Sequence, residues 1–113
     1  MQQEVRFLLE DILEYGREAT DTVGDLSVEQ ILAERLREHA VLRTIQIVGE
    51  AVAQALKREP DVLAGLGFER AVSLRNVLVH GYAKVRMEEV VQIIRHDLPR
   101  LLAAVEHILG EQT

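Results

Sequence analysis

Apolar residues recur at steps of three and four along most of the chain, which is the period of an amphipathic helix. The first stripe predicts a helix near the start of the chain, with Val5, Leu8, Leu9, Ile12 and Leu13 on its apolar face. The polar segment 20–25 is predicted to be a loop, because it combines turn-forming residues with Gly24. Ser27 and Gln30 then form the capping-box pattern that begins a second helix.

The second helix is predicted to continue until Pro60 and the glycines at 65 and 67, which form a connection. Its stripe consists of Val41, Ile45, Val48, Val52 and Leu56. A further helix follows the connection, with Phe68, Ala71, Val72, Leu74, Val77 and Leu78 on one side. No alternating strand pattern appears, so we predict one all-α domain over residues 1–113, an antiparallel helical bundle of about five helices.

The last helix has the longest apolar stripe, at near-heptad spacing over more than 20 residues. Its members are Met87, Val90, Val91, Ile94, Leu98, Leu101, Leu102, Val105, Ile108 and Leu109. Pro99 is expected to kink this helix, or to split it at Asp97, a good N-cap residue. The stripe is buried either within one chain or, together with the preceding helix, against a second copy, since twofold dimers are the commonest homo-oligomers.

Composition narrows the function classes. The chain has no cysteine, which excludes disulfides and thiolate metal sites. No apolar run reaches membrane-spanning length, and residues 1–14 lack the apolar centre of a signal peptide, so we expect a cytoplasmic protein without membrane association. His39, His96 and His107 do not have the spacing of metal ligands.

Charge is distributed unevenly. The net charge is −6, yet residues 70–100 contain six cations against three carboxylates, a local charge of +3 that leaves −9 on the remainder. Such a cluster favours binding of an anion in one place, while the acidic remainder weakens general affinity for nucleic acid. The alternative is that these charges lie on ordinary solvated helix faces.

The segment from Ser73 to Tyr82 concentrates the residues capable of chemistry. Ser73, Asn76 and His80 are separated by three, four and seven residues, which places them on one side of a helix. Arg75 is roughly 140° away from His80 around an ideal helix. The two converge in one chain only if the helix loosens near Gly81, or across a twofold axis where two copies meet.

These residues resemble a known family. Arg75-Asn76-x3-His80 resembles the Arg-polar-x3-His motif of the HEPN superfamily, and Tyr82 is similar to the added tyrosine of its HepT-like branch. Residues 7–13 resemble the opening helix of that branch, and residues 41–51 resemble its third helix. Asp97-Leu98-Pro99 also matches in order and spacing. The chain departs from the pattern at 65–68, where many relatives have Pro-Trp, and at Arg86, where an acidic residue is common.

The resemblance implies a HEPN-like bundle that dimerises through the motif helix and acts as a metal-independent endoribonuclease toxin without a cofactor. It also implies a partner, a nucleotidyltransferase antitoxin of the MNT type, which is thought to transfer AMP to Tyr82. The residues suit this chemistry, since His80 can exchange protons near neutral pH and Arg75 can hold phosphate oxygens. Asn76 can orient His80 or bind the phosphate.

We therefore assign Arg75, Asn76 and His80 as candidate catalytic residues and Tyr82 as the candidate AMP acceptor. The candidate substrate-phosphate contacts are Ser73, Lys84 and Arg86. Structural alternatives are a helix-terminal His80 that binds carbonyl groups and a Tyr82 that only packs.

Two residues outside the motif have two interpretations. Arg43 and Glu50 are expected either to form a buried pair or to approach the motif. Two other functions also stay open for the chain as a whole. It can be a non-catalytic subunit that binds nucleotide or substrate for a two-chain minimal nucleotidyltransferase, or a structural helical dimer.

Overall fold

The computed structural model of the chain describes residues 1–63 and 86–111, and the whole of this part is helical apart from short connections. The helices are α1 (Gln3–Val23), α2 (Val28–Ala33), α3 (Arg35–Arg58), α4 (Pro60–Leu63), α5 (Met87–Gln92) and α6 (Leu98–Glu111), with a π-helical turn, Ile93–Asp97, joining the last two. The predicted all-α fold is confirmed. None of the helices described is long and apolar enough to cross a membrane.

Helix α1 packs antiparallel to α3. The amide of Gln2 donates to Glu59 Oε1 at 2.9 Å, which joins the start of α1 to the end of α3. At the other end of the pair, Arg37 Nη1 donates to the carbonyl oxygen of Thr22 at 2.7 Å. The two bonds align the helices along their length.

The final helical segment packs on another side of α1 and is also antiparallel to it. Arg95 donates from Nη2 to the carbonyl oxygens of Gly24 and Leu26, at 3.0 and 2.6 Å. Further along, Gly16 of α1 lies against Leu102 of α6. Helix α1 therefore packs against both α3 and the carboxyl-terminal segment.

The core formed by the described residues is aliphatic, and aromatic residues make up only 4% of the chain. Its largest fully buried side chains are Leu9, Ile12, Ile31, Ile45, Ile94, Leu98, Val5, Val23, Val41, Val48 and Val52. The long apolar stripe of the last helix is mostly buried in the single chain, with Leu102 and Leu109 partly buried against this core. The stripe by itself thus gives no reason to require a second copy.

The predicted loop at 20–25 is wrong over its first part, because α1 continues to Val23. Thr20 and Thr22 stay helical, and their hydroxyl groups donate to the carbonyl oxygens of Gly16 and Glu18. The helix ends at Gly24, whose φ of 50° lies in the left-handed region that glycine adopts without strain.

The predicted second helix starts as expected, since Ser27 and Gln30 form a complete capping box. It is interrupted at Glu34, however, whose φ of −112° and ψ of 99° are extended. The amide of Glu34 closes α2 on the carbonyl oxygen of Ile31, and its own carbonyl accepts the first bond of α3 from Glu38. Neither glycine nor proline marks this break, so the sequence pattern did not reveal it.

Pro99 does not split the last helix at Asp97, and Asp97 is not an N-cap. Instead the amide of Leu98 donates to the carbonyl oxygen of Ile93, five residues back. Proline clashes with the carbonyl four residues before it in a regular α-helix. The π-helical turn just ahead of Pro99 relieves this clash and lets the helix continue into α6.

Candidate functional site

Most of the predicted site lies outside the described residues. Only Arg86 is described, at the point where α5 begins. The others, at positions beyond the described ranges, are Ser73, Arg75, Asn76, His80, Tyr82 and Lys84. The structure therefore bears on this site through the elements on either side of it.

The flanking element on the carboxyl-terminal side of the predicted site is α5. Helix α5 is anchored by Met87, Val90 and Val91, which are buried in the core. On the amino-terminal side, α4 follows α3 after one residue, Glu59, whose carboxylate binds the start of α1. The motif segment is thus joined at both ends to elements of the helical bundle.

Arg86 has the exposure that a phosphate contact needs. Its side chain is 79% exposed, and its Nε lies 3.9 Å from Glu88 Oε2. A pair at this distance in solvent contributes little free energy, so an anion can displace it at low cost.

Two other described cations lie in residues 70–100, the segment with a local charge of +3, and they are held differently. Arg95 donates to the two carbonyl oxygens of the α1–α2 connection, which gives it a structural role. Arg100 Nη2 lies 3.5 Å from Asp97 Oδ1 and is 81% exposed. Of the described cations in this segment, Arg86 and Arg100 are accessible to an anion. Arg95 is held by its hydrogen bonds to two backbone carbonyl oxygens.

A second candidate site lies between α1 and α3, where a groove of about 200 Å³ opens to solvent. It is lined by Leu8, Asp11, Arg43, Gln46, Ile47, Glu50 and Ala51. The α3 members fall on one helical face, because their spacings are three and four residues. Sequence reasoning noted two of them, but it missed Asp11 and Gln46, since nothing local places α1 beside this face.

The expected buried pair of Arg43 and Glu50 does not form. Arg43 is exposed, and no ion pair joins it to Glu50. Glu50 is half-buried and accepts a hydrogen bond from Gln54 Nε2 at 3.1 Å. Both residues line the groove instead of bracing the helices against each other.

Histidine and carboxylate groups do not gather elsewhere in the part of the chain that is described. His39, His96 and His107 are exposed and lie on three different helical segments. Within residues 1–63 and 86–111, no three such side chains are placed to hold a metal ion.

Comparison with known proteins relates the chain to one family. The family described as "Ribonuclease HepT-like" matches residues 12–108 of the chain. This span includes the whole Arg75-x4-His80-x-Tyr82 motif and the groove residues of α3.

Three relatives match over most of their length. "Putative RNase MJ1380" of Methanocaldococcus jannaschii is 25% identical over 104 residues, which cover 92% of the chain and 95% of that protein. "Putative RNase MJ0127" of the same organism is 25% identical over 109 residues, covering 96% and 90%. "Probable ribonuclease HepT" of Thermococcus cleftensis is 23% identical over 100 residues, covering 88% and 91%. No solved structure shows a significant match.

Proposed function

The chain belongs to the ribonuclease HepT-like family, and from this premise we propose that it is a metal-independent endoribonuclease, the toxin of a two-gene toxin–antitoxin pair. The observation that carries the proposal is the motif Arg75-x4-His80-x-Tyr82, which lies inside the span that matches the family. The names of the relatives, which refer to RNases, support the same activity.

The proposed reaction uses the RNA's own 2′-hydroxyl as the nucleophile on the adjacent phosphorus. A base removes the proton of that hydroxyl, and an acid protonates the departing 5′-oxygen, which leaves a 2′,3′-cyclic phosphate. His80 suits either proton role because the pKa of histidine is ordinarily near neutrality. Arg75 stabilises the negative charge that grows on the phosphate oxygens, and Asn76 orients His80 or the phosphate.

A homodimer makes this site complete. One imidazole cannot be both protonated and unprotonated at the same moment, whereas two copies of His80 supply an acid and a base in one cleft. A twofold axis through the predicted motif helix would also bring Arg75 of one copy near His80 of the other, despite the offset of roughly 140° expected on one ideal helix. Ser73, Lys84 and Arg86 are the proposed contacts to neighbouring phosphates.

Tyr82 is the proposed point of control. A nucleotidyltransferase antitoxin of the MNT type transfers AMP from ATP to the phenol oxygen of Tyr82, with release of pyrophosphate. The attached AMP adds bulk and negative charge where the substrate phosphate binds beside Arg75. Occlusion and like-charge repulsion then both oppose RNA binding.

Cleavage of a single-stranded RNA tests the catalytic proposal. His80→Ala and Arg75→Ala are each expected to lower the cleavage rate by about 10²–10⁴-fold, because each removes a group that acts in the transition state. Cleavage by the native chain should persist in EDTA and yield a cyclic phosphate. Matched controls are His96→Ala and Arg35→Ala, which alter exposed residues on helices outside the motif and should keep the native rate.

Three results would count against this reaction: loss of activity in EDTA, a native rate in His80→Ala, or no cleavage of any RNA. The last would favour a non-catalytic subunit that binds nucleotide or substrate for the nucleotidyltransferase.

For Tyr82, co-expression with that partner should add the mass of one or more AMP units, and Tyr82→Phe should escape both the added mass and the inhibition. A partner that restrains Tyr82→Phe as well as the native chain would act by binding alone.

A further inference from the structure

We infer that the groove between α1 and α3 binds a guanine base of the single-stranded RNA substrate. The inference rests on the proposed function for its substrate and adds a site for base selection to it. The groove-lining side chains of Asp11, Arg43, Gln46 and Glu50 carry the argument, because they place hydrogen-bond donors and acceptors around one small space.

The size of the groove limits its occupant. Clefts that enclose whole drug-sized ligands are about 300–1,000 Å³, whereas this groove is about 200 Å³ and is open to solvent. It therefore suits one planar ring system more than a whole nucleotide. Leu8, Ile47 and Ala51 line the same groove and supply aliphatic surface for the faces of a ring.

The charges of the groove exclude a phosphate as the preferred occupant. Among the described residues that line the groove, the cation Arg43 is accompanied by two carboxylates, those of Asp11 and Glu50. A phosphate site needs an excess of positive charge, and here the carboxylates would repel it. A neutral group that offers both hydrogen-bond donors and acceptors can accept from the arginine and donate to the carboxylates at the same time.

Two of these charges are available for a ligand. Arg43 and Asp11 are exposed, and neither forms an ion pair or a side-chain hydrogen bond with any residue in the described part of the chain. Gln46 and Glu50 take part in other interactions, and Gln54 helps to hold Glu50 in place. The groove thus combines two held polar groups with two accessible ones.

Guanine matches this set because it offers a pair of acceptors on one edge and a pair of donors on the next. Its O6 and N7 atoms accept a forked pair of hydrogen bonds from an arginine. On the neighbouring edge, N1–H and the N2 amino group are two parallel donors that a carboxylate accepts. Adenine presents the N1 lone pair at that edge, which a carboxylate repels. Proteins ordinarily recognise unstacked RNA bases through such edge contacts.

Binding of nucleosides to the native chain tests the site without any need for cleavage. Guanosine is expected to bind about tenfold or more tightly than inosine, which lacks the N2 amino group, and than adenosine, given the usual discrimination of a bidentate contact. Arg43→Ala should weaken the binding of guanosine and inosine alike, because both bases keep the O6 and N7 acceptors. Asp11→Asn should remove the preference for guanosine over inosine, because the N2 amino group is a donor that the carboxylate accepts. Arg35→Ala is the matched control, because it removes an exposed arginine of the same helix outside the groove.

A cleavage assay then locates the guanine in the substrate. An RNA with a single guanosine should be cleaved with a higher kcat/KM than the same RNA with inosine there, and Asp11→Asn should abolish the difference. Equal affinity for the three nucleosides, or an unchanged preference for guanosine over inosine in Asp11→Asn, would overturn the inference. Guanosine binding without any RNA cleavage would keep the base site and defeat only the ribonuclease proposal. Cleavage indifferent to the inosine replacement would defeat the link to substrate.

Discussion

Helix α1 meets its two long neighbours in different ways. Toward α6, Gly16 lets Leu102 approach so closely that an added Cβ would lie 2.6 Å from Leu102 Cδ2. Toward α3, the buried contact opens at its edge into a groove with charged side chains that include Asp11 and Arg43. The first contact is closed by a small residue and serves packing, whereas the second leaves polar groups accessible to a ligand.

The largest effect should come from overpacking the closed contact. Gly16→Val puts a branched side chain where Leu102 already lies, and overpacking of this kind typically costs about 1–3 kcal/mol. We expect chemical denaturation to show a loss of unfolding free energy of this size. A change below about 0.5 kcal/mol would mean that α1 and α6 separate easily, and that the α1–α6 contact is not more tightly packed than the edge of the α1–α3 contact.

Gly16→Ala is the matched control for this substitution. Its single methyl group meets only the far end of the Leu102 side chain, which is partly buried and can rotate. Alanine also gains about 1 kcal/mol over glycine in a helix interior. The two effects oppose each other, so Gly16→Ala should stay near the native stability.

Sequence periodicity predicted the helices of the described part well, because each apolar stripe depends on residues close together in the chain. The Ser27–Gln30 capping box was confirmed for the same reason. The break at Glu34 and the π-helical turn before Pro99 were not predicted. Pro99 indicated a disturbance of the helix near Asp97, but not that a π-helical turn would absorb it. No glycine or proline marks the break at Glu34.

The two candidate sites differ in the same way. The motif was recognisable from sequence because Arg75, Asn76, His80 and Tyr82 lie within eight residues, and their joint geometry stays a prediction. The groove combines Asp11 with Arg43, which are distant in sequence. The antiparallel packing of α1 on α3 brings them together, so no local sequence pattern predicts the groove.

A smaller effect is expected at the rim of the closed contact. Arg17 Nη2 lies 2.8 Å from Glu106 Oε1, which joins α1 to α6 beside Gly16. Both side chains are more than half exposed, and such pairs typically contribute about 0.2–1 kcal/mol. A double-mutant cycle with Arg17→Ala and Glu106→Ala should give a coupling free energy in this range that declines in high salt. A coupling above about 2 kcal/mol would show that the rim, and not the Gly16 approach, holds the two helices.

The smallest effect on stability should come from the groove. Arg43→Ala removes an exposed side chain without an ion pair in the described part of the chain, so the unfolding free energy should change by no more than about 0.5 kcal/mol. Arg37→Ala is the contrasting variant on the same helix, because it breaks the bonds of Arg37 to Thr22 and Glu34 and should be the more destabilising of the two. Guanosine should raise the melting temperature of the native chain and not that of Arg43→Ala, since a ligand stabilises only the protein that binds it. A marked loss of stability in Arg43→Ala without ligand would assign Arg43 to packing and remove the distinction between the groove and the closed contact.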